Sequence, residues 1–320
     1  MNKTALLPLA ALLLSAQSQP APQPAAQPAP QPAAQPAPKP AAPPSPGQIA
    51  EAAPRTAWAE IAPDDLVVMT LKGGKQVIIQ LAPRFAPIHT ANIRALALAH
   101  WWDALAVYRV QDNYVVQWGD PPPDPDSEGT KPLPGNVTAK IPAEYELAAD
   151  SIPFRPLGGA DAYAETGHSD GWPVGRKDGM AWLTHCYGMV GAGRGYAPDT
   201  GSGAELYAVI GHAPRHLDRN IALVGRVVEG IENLSSLPRG TGALSFYTDP
   251  KQFTGIATIR LSSDMPAAIR PRFEYLKTDS PAFADYAKAR QNREPPFFEK
   301  PAGGADVCNV PVPVRRVKTG

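Results

Sequence analysis

Apolar residues recur along this 320-residue chain in short runs rather than long stripes. Leu66–Leu71 and Gln76–Leu81 are two such runs, joined through Lys72-Gly73-Gly74-Lys75. Alternating apolar side chains around a Gly-Gly turn predict a β-hairpin. A different period opens at Ala86-Pro87. Ile88, Ile93, Leu96 and Leu98 fall among alanines at helical spacing as far as His100. Pro87 suits a first helical turn, whose N–H needs no partner. Two further runs lie between Val107 and Asp120, on either side of a polar turn at Gln111–Asn113. Strict alternation puts Val107, Arg109 and Gln111 on one face and Tyr108 and Val110 on the other; in the second run Val115 and Gln117 share a face.

The later pattern continues mainly β. Ile141–Tyr145, Glu205–Ile210, Ile221–Val228 and Ile256–Leu261 read as strands. Glu229–Leu237 reads as a short helix. Ser280 and Pro281 supply an N-cap and a first-turn proline for a helix running to about Asn292. Residues 147–183 read as a long insertion rich in Gly, Asp and aromatic residues. Such a length without regular structure is uncommon unless the segment is functional or carries structure of its own; simple padding is the plainer alternative. Glu294–Val314 reads as irregular chain wrapped on the domain.

Composition changes the picture at the N-terminus. Lys3 precedes an apolar run from Ala5 to Leu14, followed by the small residues Ser15 and Ala16. This is the pattern of an export signal over residues 1–18, too short to span a membrane. Residues 19–42 repeat Gln-Pro-Ala-Pro-Gln-Pro-Ala-Ala, with Lys39 replacing one glutamine. Proline removes backbone donors and fixes φ, so residues 19–56 read as an extended, disordered spacer. The folded part is then expected at 57–262, with a C-terminal extension at 263–320 packed on it. The expected location is the periplasm, as a soluble monomer after signal cleavage.

Charge excludes some partners. Lys and Arg total 30, and Asp and Glu total 30. Nothing in that balance favours a nucleic acid or an anionic membrane. The two cysteines, Cys186 and Cys308, suggest one disulfide in an exported chain. Two buried free thiols are the alternative, and the sequence leaves the choice open.

Candidate chemistry narrows by elimination. The glycine-rich stretch Gly188–Tyr207 lacks a phosphate-loop pattern, and Gly191-Ala192-Gly193 has no third glycine at the right spacing. Ser202 lies in Gly-Ser-Gly, which is no nucleophile elbow. His212 and His216 are separated by Pro214, which breaks a shared helix face, and His185 beside Cys186 has no completing ligand. No metal and no cofactor are expected. Arg109 and Gln117 remain: two hydrogen-bonding side chains among apolar neighbours on adjacent strands, suited to a shallow groove.

The order of several short motifs resembles the cyclophilin-type peptidyl-prolyl isomerases. Ala86-Pro87 followed by Asn92-Ile93 resembles the family's Ala-Pro-x-x-x-x-Asn-Phe. Val107-Tyr-Arg-Val110 is similar to Phe-His-Arg-Val, and Gln117-Trp-Gly-Asp120 to Gln-Gly-Gly-Asp. Ile141–Tyr145 resembles Ile/Phe-x-x-Glu-Phe, and Gly188–Tyr207 the glycine loop running into Ser-Gln-Phe-Phe. Leu217-Asp218, Leu223-Val-Gly-Arg-Val227 and Val228-Glu-Gly230 resemble Leu-Asp-Gly-Lys, Val-Phe-Gly-Lys-Val and Val-Glu-Gly. The resemblance spans about 65–262, interrupted at 147–183. It implies a mainly β fold, a closed eight-stranded barrel capped by two helices, here at 86–100 and 229–237.

The resemblance also implies roles. Arg109 matches the catalytic arginine and Gln117 the glutamine that positions it. Tyr114 and Val115 match the walls of the proline pocket, and Tyr207 and Leu217 further pocket positions. Gly193 and Arg194 occupy the family's Ala-Asn segment. Three positions depart from the pattern. Glu205 replaces a glutamine and brings a carboxylate that either holds Arg109 in place or sequesters it. His216 stands where tryptophan is frequent, and Ile221 where histidine is frequent. The implied activity is isomerisation of X-Pro bonds in exported polypeptides. The alternative is a non-catalytic module that binds proline-containing segments.

Overall fold

The computed structural model of the protein describes residues 43–123 and 129–317. The signal-like run and the Gln-Pro-Ala repeat therefore lie outside the described residues. The first element comes earlier than expected. Helix α1 (Pro46–Ala52) has Ser45 as its cap, in a reciprocal capping box with Gln48. The whole helix lies in the stretch 19–56 expected to be a disordered spacer. The proline there occupies the first helical turn, where proline fits.

In chain order there follow β1 (Trp58–Glu60), β2 (Leu66–Leu71), β3 (Gln76–Leu81), α2 (Pro87–Leu98), β4 (Ala106–Val110) and β5 (Val115–Gly119). Then come β6 (Leu147–Ala148), β7 (Arg155–Pro156), β8 (Glu165–Ser169), β9 (Trp172–Lys177), β10 (Met180–Leu183), β11 (Met189–Ala192) and β12 (Leu206–Val209). The chain ends with β13 (Leu223–Glu229), α3 (Glu232–Ser235), β14 (Thr254–Leu261), β15 (Phe273–Leu276), α4 (Pro281–Gln291) and β16 (Val314–Arg316).

Eight strands close an antiparallel barrel in the order β11-β12-β5-β4-β14-β2-β3-β13. Closure leaves no unpaired sheet edge. Alternation along the strands explains its interior. Val67, Met69 and Leu71 of β2, Val77, Ile79 and Leu81 of β3, and Val116 and Trp118 of β5 join one core. Ile93 and Leu96 of α2 and Leu234 of α3 belong to the same cluster, so both helices cap the barrel.

The region 147–183 carries structure of its own. Strands β6 to β10 form an antiparallel sheet of their own, ordered β6-β10-β9-β8-β7. A third sheet, β1-β15-β16, joins segments before and after the barrel. These pieces share a second core. It takes Ala50 from α1, Trp172 and Val174 from β9, Phe283 and Tyr286 from α4, and Val307 and Val310 from the tail. Met189 and Leu223, on the outer side of barrel strands, close it against the barrel. Arg226 of β13 fastens the two layers. Buried, it donates to Gln80 Oε1 (3.0 and 2.8 Å) and to the Gly171 carbonyl (2.7 Å), and lies over the Trp172 ring. Burial lowers its pKa to about 10. Cys186 and Cys308 are bonded, which resolves the open choice in favour of the disulfide and ties the tail to the end of the insertion.

Two further expectations change. Ile141–Tyr145 forms no strand. Its Glu144 instead accepts the backbone N–H groups of Ile88 (2.8 Å) and His89 (2.9 Å), filling the cap that Ala86 cannot supply to α2. The helix expected at 229–237 is a single turn, because β13 runs through Glu229 and Gly230 (φ +84°) breaks the chain direction. The tail is irregular up to β16, apart from one 3-10 turn at Val307–Asn309.

Candidate active site

The hairpin β4–β5 carries the arginine. Its register pairs Val107 with Trp118 and Arg109 with Gln117, so Tyr108 is an extra residue in a β-bulge. The bulge overturns the simple alternation. Val107 and Val110 both enter the barrel core, while Tyr108 and Arg109 both reach Gln117. On β5 the alternation holds: Val116 and Trp118 point in, Val115 and Gln117 point out.

Arg109 is half-buried and held on three sides. Nη1 donates to Gln117 Oε1 (3.1 Å), Nη2 to Gln111 Oε1 (2.6 Å) and Nε to the Leu244 carbonyl (2.8 Å). The guanidinium also lies over the Phe246 ring, 5.4 Å from its centre. Burial lowers its pKa, with Tyr114 and Tyr108 acting in the opposite sense. A guanidinium has five N–H donors. Those three bonds leave two for a ligand.

Beside it lies a separate apolar cluster on the outer wall of the barrel. Val115, Tyr207 and Val209 are buried in it, and Tyr114 and Ile221 pack at its edge. Tyr114 stacks on His216 with ring centres 6.3 Å apart and planes 4° from parallel. The sequence-derived pocket residues Tyr114, Val115, Tyr207, His216 and Ile221 are thus brought together. Leu217 is half-buried in the adjoining turn and is not one of that cluster. Gly193 lies between Gln117 and Glu205; a Cβ on it would sit 3.3 Å from Gln117 Nε2. Arg194 donates to the carbonyls of Asn220 (3.0 Å) and Gly195 (2.7 Å).

Glu205 meets the neighbours of the arginine. Its carboxylate accepts the Tyr108 hydroxyl proton and the Asp120 backbone N–H (2.7 Å). The acceptors that Arg109 meets are two glutamines and a carbonyl, and Tyr108 and Gln117 link it to the carboxylate.

Four contributors escaped the sequence reading. Tyr108 and Gln111 lie within the motif, where alternation alone does not bring them to Arg109 and Gln117. Leu244 and Phe246 come from the segment between α3 and β14, which adds to β4 through Tyr247 N–H to Tyr108 O (3.0 Å) and Gly240 N–H to Val110 O (2.9 Å). No local period marks that segment. His185, weighed only as a metal ligand, instead bonds Asp218 Oδ1 through Nδ1 (2.9 Å) and the Tyr207 hydroxyl through Nε2 (2.8 Å).

Fold and site together define a closed antiparallel barrel with a guanidinium beside an apolar pocket on its outer wall. The chain belongs to the cyclophilin-type peptidyl-prolyl cis-trans isomerase family, whose model matches residues 66–257. Among solved structures it is similar in fold to the cyclophilin AquaCyp293 from Hirschia baltica, at 23% identity and a TM-score of 0.63, covering 81% of this chain and 93% of that one. A Cryptosporidium parvum cyclophilin type isomerase, solved in the presence of the dipeptide Ala-Pro, matches at 11% identity and a TM-score of 0.37, covering 61% of this chain and 98% of that one; it adds nothing to the assignment. No curated protein matches the chain.

Proposed function

We propose that this protein catalyses cis–trans isomerisation of X-Pro peptide bonds in exported polypeptides, from a groove formed by Arg109, Gln117 and the Tyr114–Val115–Tyr207–Ile221 cluster. The reaction breaks no covalent bond. Its barrier is about 18–20 kcal/mol, set by loss of amide resonance as the C–N bond twists. A site lowers it by favouring the twisted amide. The apolar cluster takes the proline ring. The two remaining Arg109 N–H donors address the substrate carbonyl and the proline nitrogen, whose lone pair becomes available once resonance is lost. The observation that carries this reading is the placement of Arg109, fixed by Gln117 and Gln111 beside that cluster.

The cell envelope is proposed as the place of action. Two features support it: the signal-like residues 1–18, and the Cys186–Cys308 disulfide, which persists in oxidising compartments.

A protease-coupled assay on an X-Pro peptide tests the activity. Wild type should accelerate isomerisation, and Arg109→Ala should lower kcat/KM by about two to three orders of magnitude, the usual loss for one donor to developing charge. Equal rates for the two proteins would sink the catalytic reading. Peptide binding without acceleration would leave a binding module.

A further inference from the structure

We propose that Tyr108 and Glu205 are positioning residues that hold Gln117 in the one amide orientation that serves Arg109. The inference rests on the isomerase reading of this site and deepens it.

The argument is one of hydrogen-bond direction. Arg109 can only donate, so Gln117 must turn Oε1 toward Nη1 (3.1 Å). Its Nε2 then faces the Tyr108 hydroxyl oxygen at 2.8 Å and donates to it. A hydroxyl that accepts there must place its own proton elsewhere, and it donates to the Glu205 carboxylate. The second Glu205 oxygen accepts the Asp120 backbone N–H (2.7 Å). Every link has one assignment, because the chain runs from a group that only donates to a group that only accepts. Were residue 205 an amide, it could turn its NH2 to Tyr108. The hydroxyl would then point its proton at Gln117, and Gln117 would turn its NH2 against the guanidinium. The carboxylate excludes that reversed state.

The surrounding backbone is shaped for the same carboxylate. Gly119 (φ +151°) leaves room that a Cβ would fill, 2.0 Å from Glu205 Oε2. Tyr108 is buried and stacked on Phe246, with ring centres 5.8 Å apart, which fixes where its hydroxyl points. Glu205 is one of the places where the chain departs from the motifs it otherwise resembles, and it touches Tyr108 directly.

The test uses the full chain with Tyr108→Phe, Glu205→Gln and the double variant. Tyr108→Phe keeps the stacked ring and removes only the hydroxyl; Glu205→Gln keeps the size and adds a donor. Each single variant should lower kcat about tenfold, the worth of one hydrogen bond, with KM within about twofold, as expected for a defect in orientation rather than binding. The double variant should lose no more than the worse single one, because either change already breaks the chain. Unchanged kcat, or losses that multiply, would overturn the proposal. A second arm does not depend on turnover. The Gln117 side-chain NH2 resonances should shift in both single variants while the rest of the spectrum stays folded; unshifted resonances would overturn the relay even in a protein with full activity. Wild type without isomerase activity would instead count against the functional reading, and the resonance arm would still decide the relay.

Discussion

The Nε2 of His185 meets the hydroxyl of Tyr207 at 2.8 Å, and this contact joins the outer apolar cluster to the residue beside Cys186 of the second core. Burial pushes the His185 pKa down, so the ring is neutral near pH 7. Nδ1–H then donates to Asp218 (2.9 Å) and the Tyr207 hydroxyl donates to Nε2. Asp218 is held in turn by Arg215 Nε at 2.6 Å, and Arg215 by Asp161 of the insertion at 3.2 Å. The next residue, Cys186, carries the disulfide to the tail. The pocket wall is therefore braced from outside the barrel.

Tyr207→Phe keeps the ring in the apolar cluster and strips His185 Nε2 of its donor. An unsatisfied buried acceptor costs about 1–3 kcal/mol. Urea unfolding should show that loss, while KM for an X-Pro peptide changes little. A large rise in KM with unchanged stability would mean that the hydroxyl serves the substrate and not the brace.

Gly119→Ala should displace the Glu205 carboxylate, since the new methyl falls 2.0 Å from Oε2. Overpacking of this kind costs about 1–3 kcal/mol. The expected result is a lower unfolding midpoint together with a lower kcat, measured on the same preparation. Wild-type values for both would show that the loop yields without disturbing Glu205.

Acid should loosen the second core before it titrates the carboxylates. His168 is buried, donates Nε2–H to the Val310 carbonyl (2.9 Å) and packs edge-on against Phe283. Desolvation lowers its pKa from 6.5 to about 4. Above pH 6.5 the ring is neutral in both states. Between pH 6.5 and about 4 only the unfolded chain takes the proton, so stability falls with pH across that window and levels off below it for this group. The difference amounts to about 3 kcal/mol at most. His185, also lowered, acts in the same sense. Asp103, held below its usual 3.8 by Arg260, loses its contribution only at still lower pH. Denaturant unfolding at pH 7.5, 5.5 and 4.5 should show a decline that His168→Gln reduces; a flat profile in wild type would contradict the assignment.

Breaking the disulfide should destabilise the chain without abolishing the barrel. The bridged residues are 122 apart, and chain entropy for a loop of that size amounts to about 4–5 kcal/mol as an upper value. Cys186→Ser with Cys308→Ser should lower the melting temperature, and wild type treated with reductant should follow it. Since Arg109 and Gln117 sit on the barrel hairpin, kcat should fall far less than stability. A complete loss of activity in a folded double variant would show that the brace through His185 governs the pocket directly.

The strands at 66–71 and 76–81, the α2 helix and the Ser280 cap were legible because each depends on side chains a few residues apart. Arg109, Gln117 and the apolar positions Val115 and Tyr207 were legible for the same reason, through short motifs in a fixed order. The bulge at Tyr108 was not. It depends on how β4 must pair with β5 and β14 to close the barrel, and alternation within one strand carries no record of that.

By itself, then, the sequence determined which residues alternate, where helices start, and which side chains carry chemistry, since period, caps and residue type are local properties. It also marked both cysteines and Glu205 as unusual, without saying what they meet. Only the tertiary structure decided that Cys186 bonds Cys308, that Glu205 accepts the Tyr108 hydroxyl proton across 97 positions, and that α1, the insertion and the tail share one core. These outcomes depend on which surfaces the closed barrel leaves apolar. Met189 and Leu223 on its outer wall need cover, and segments far apart in the chain supply it together.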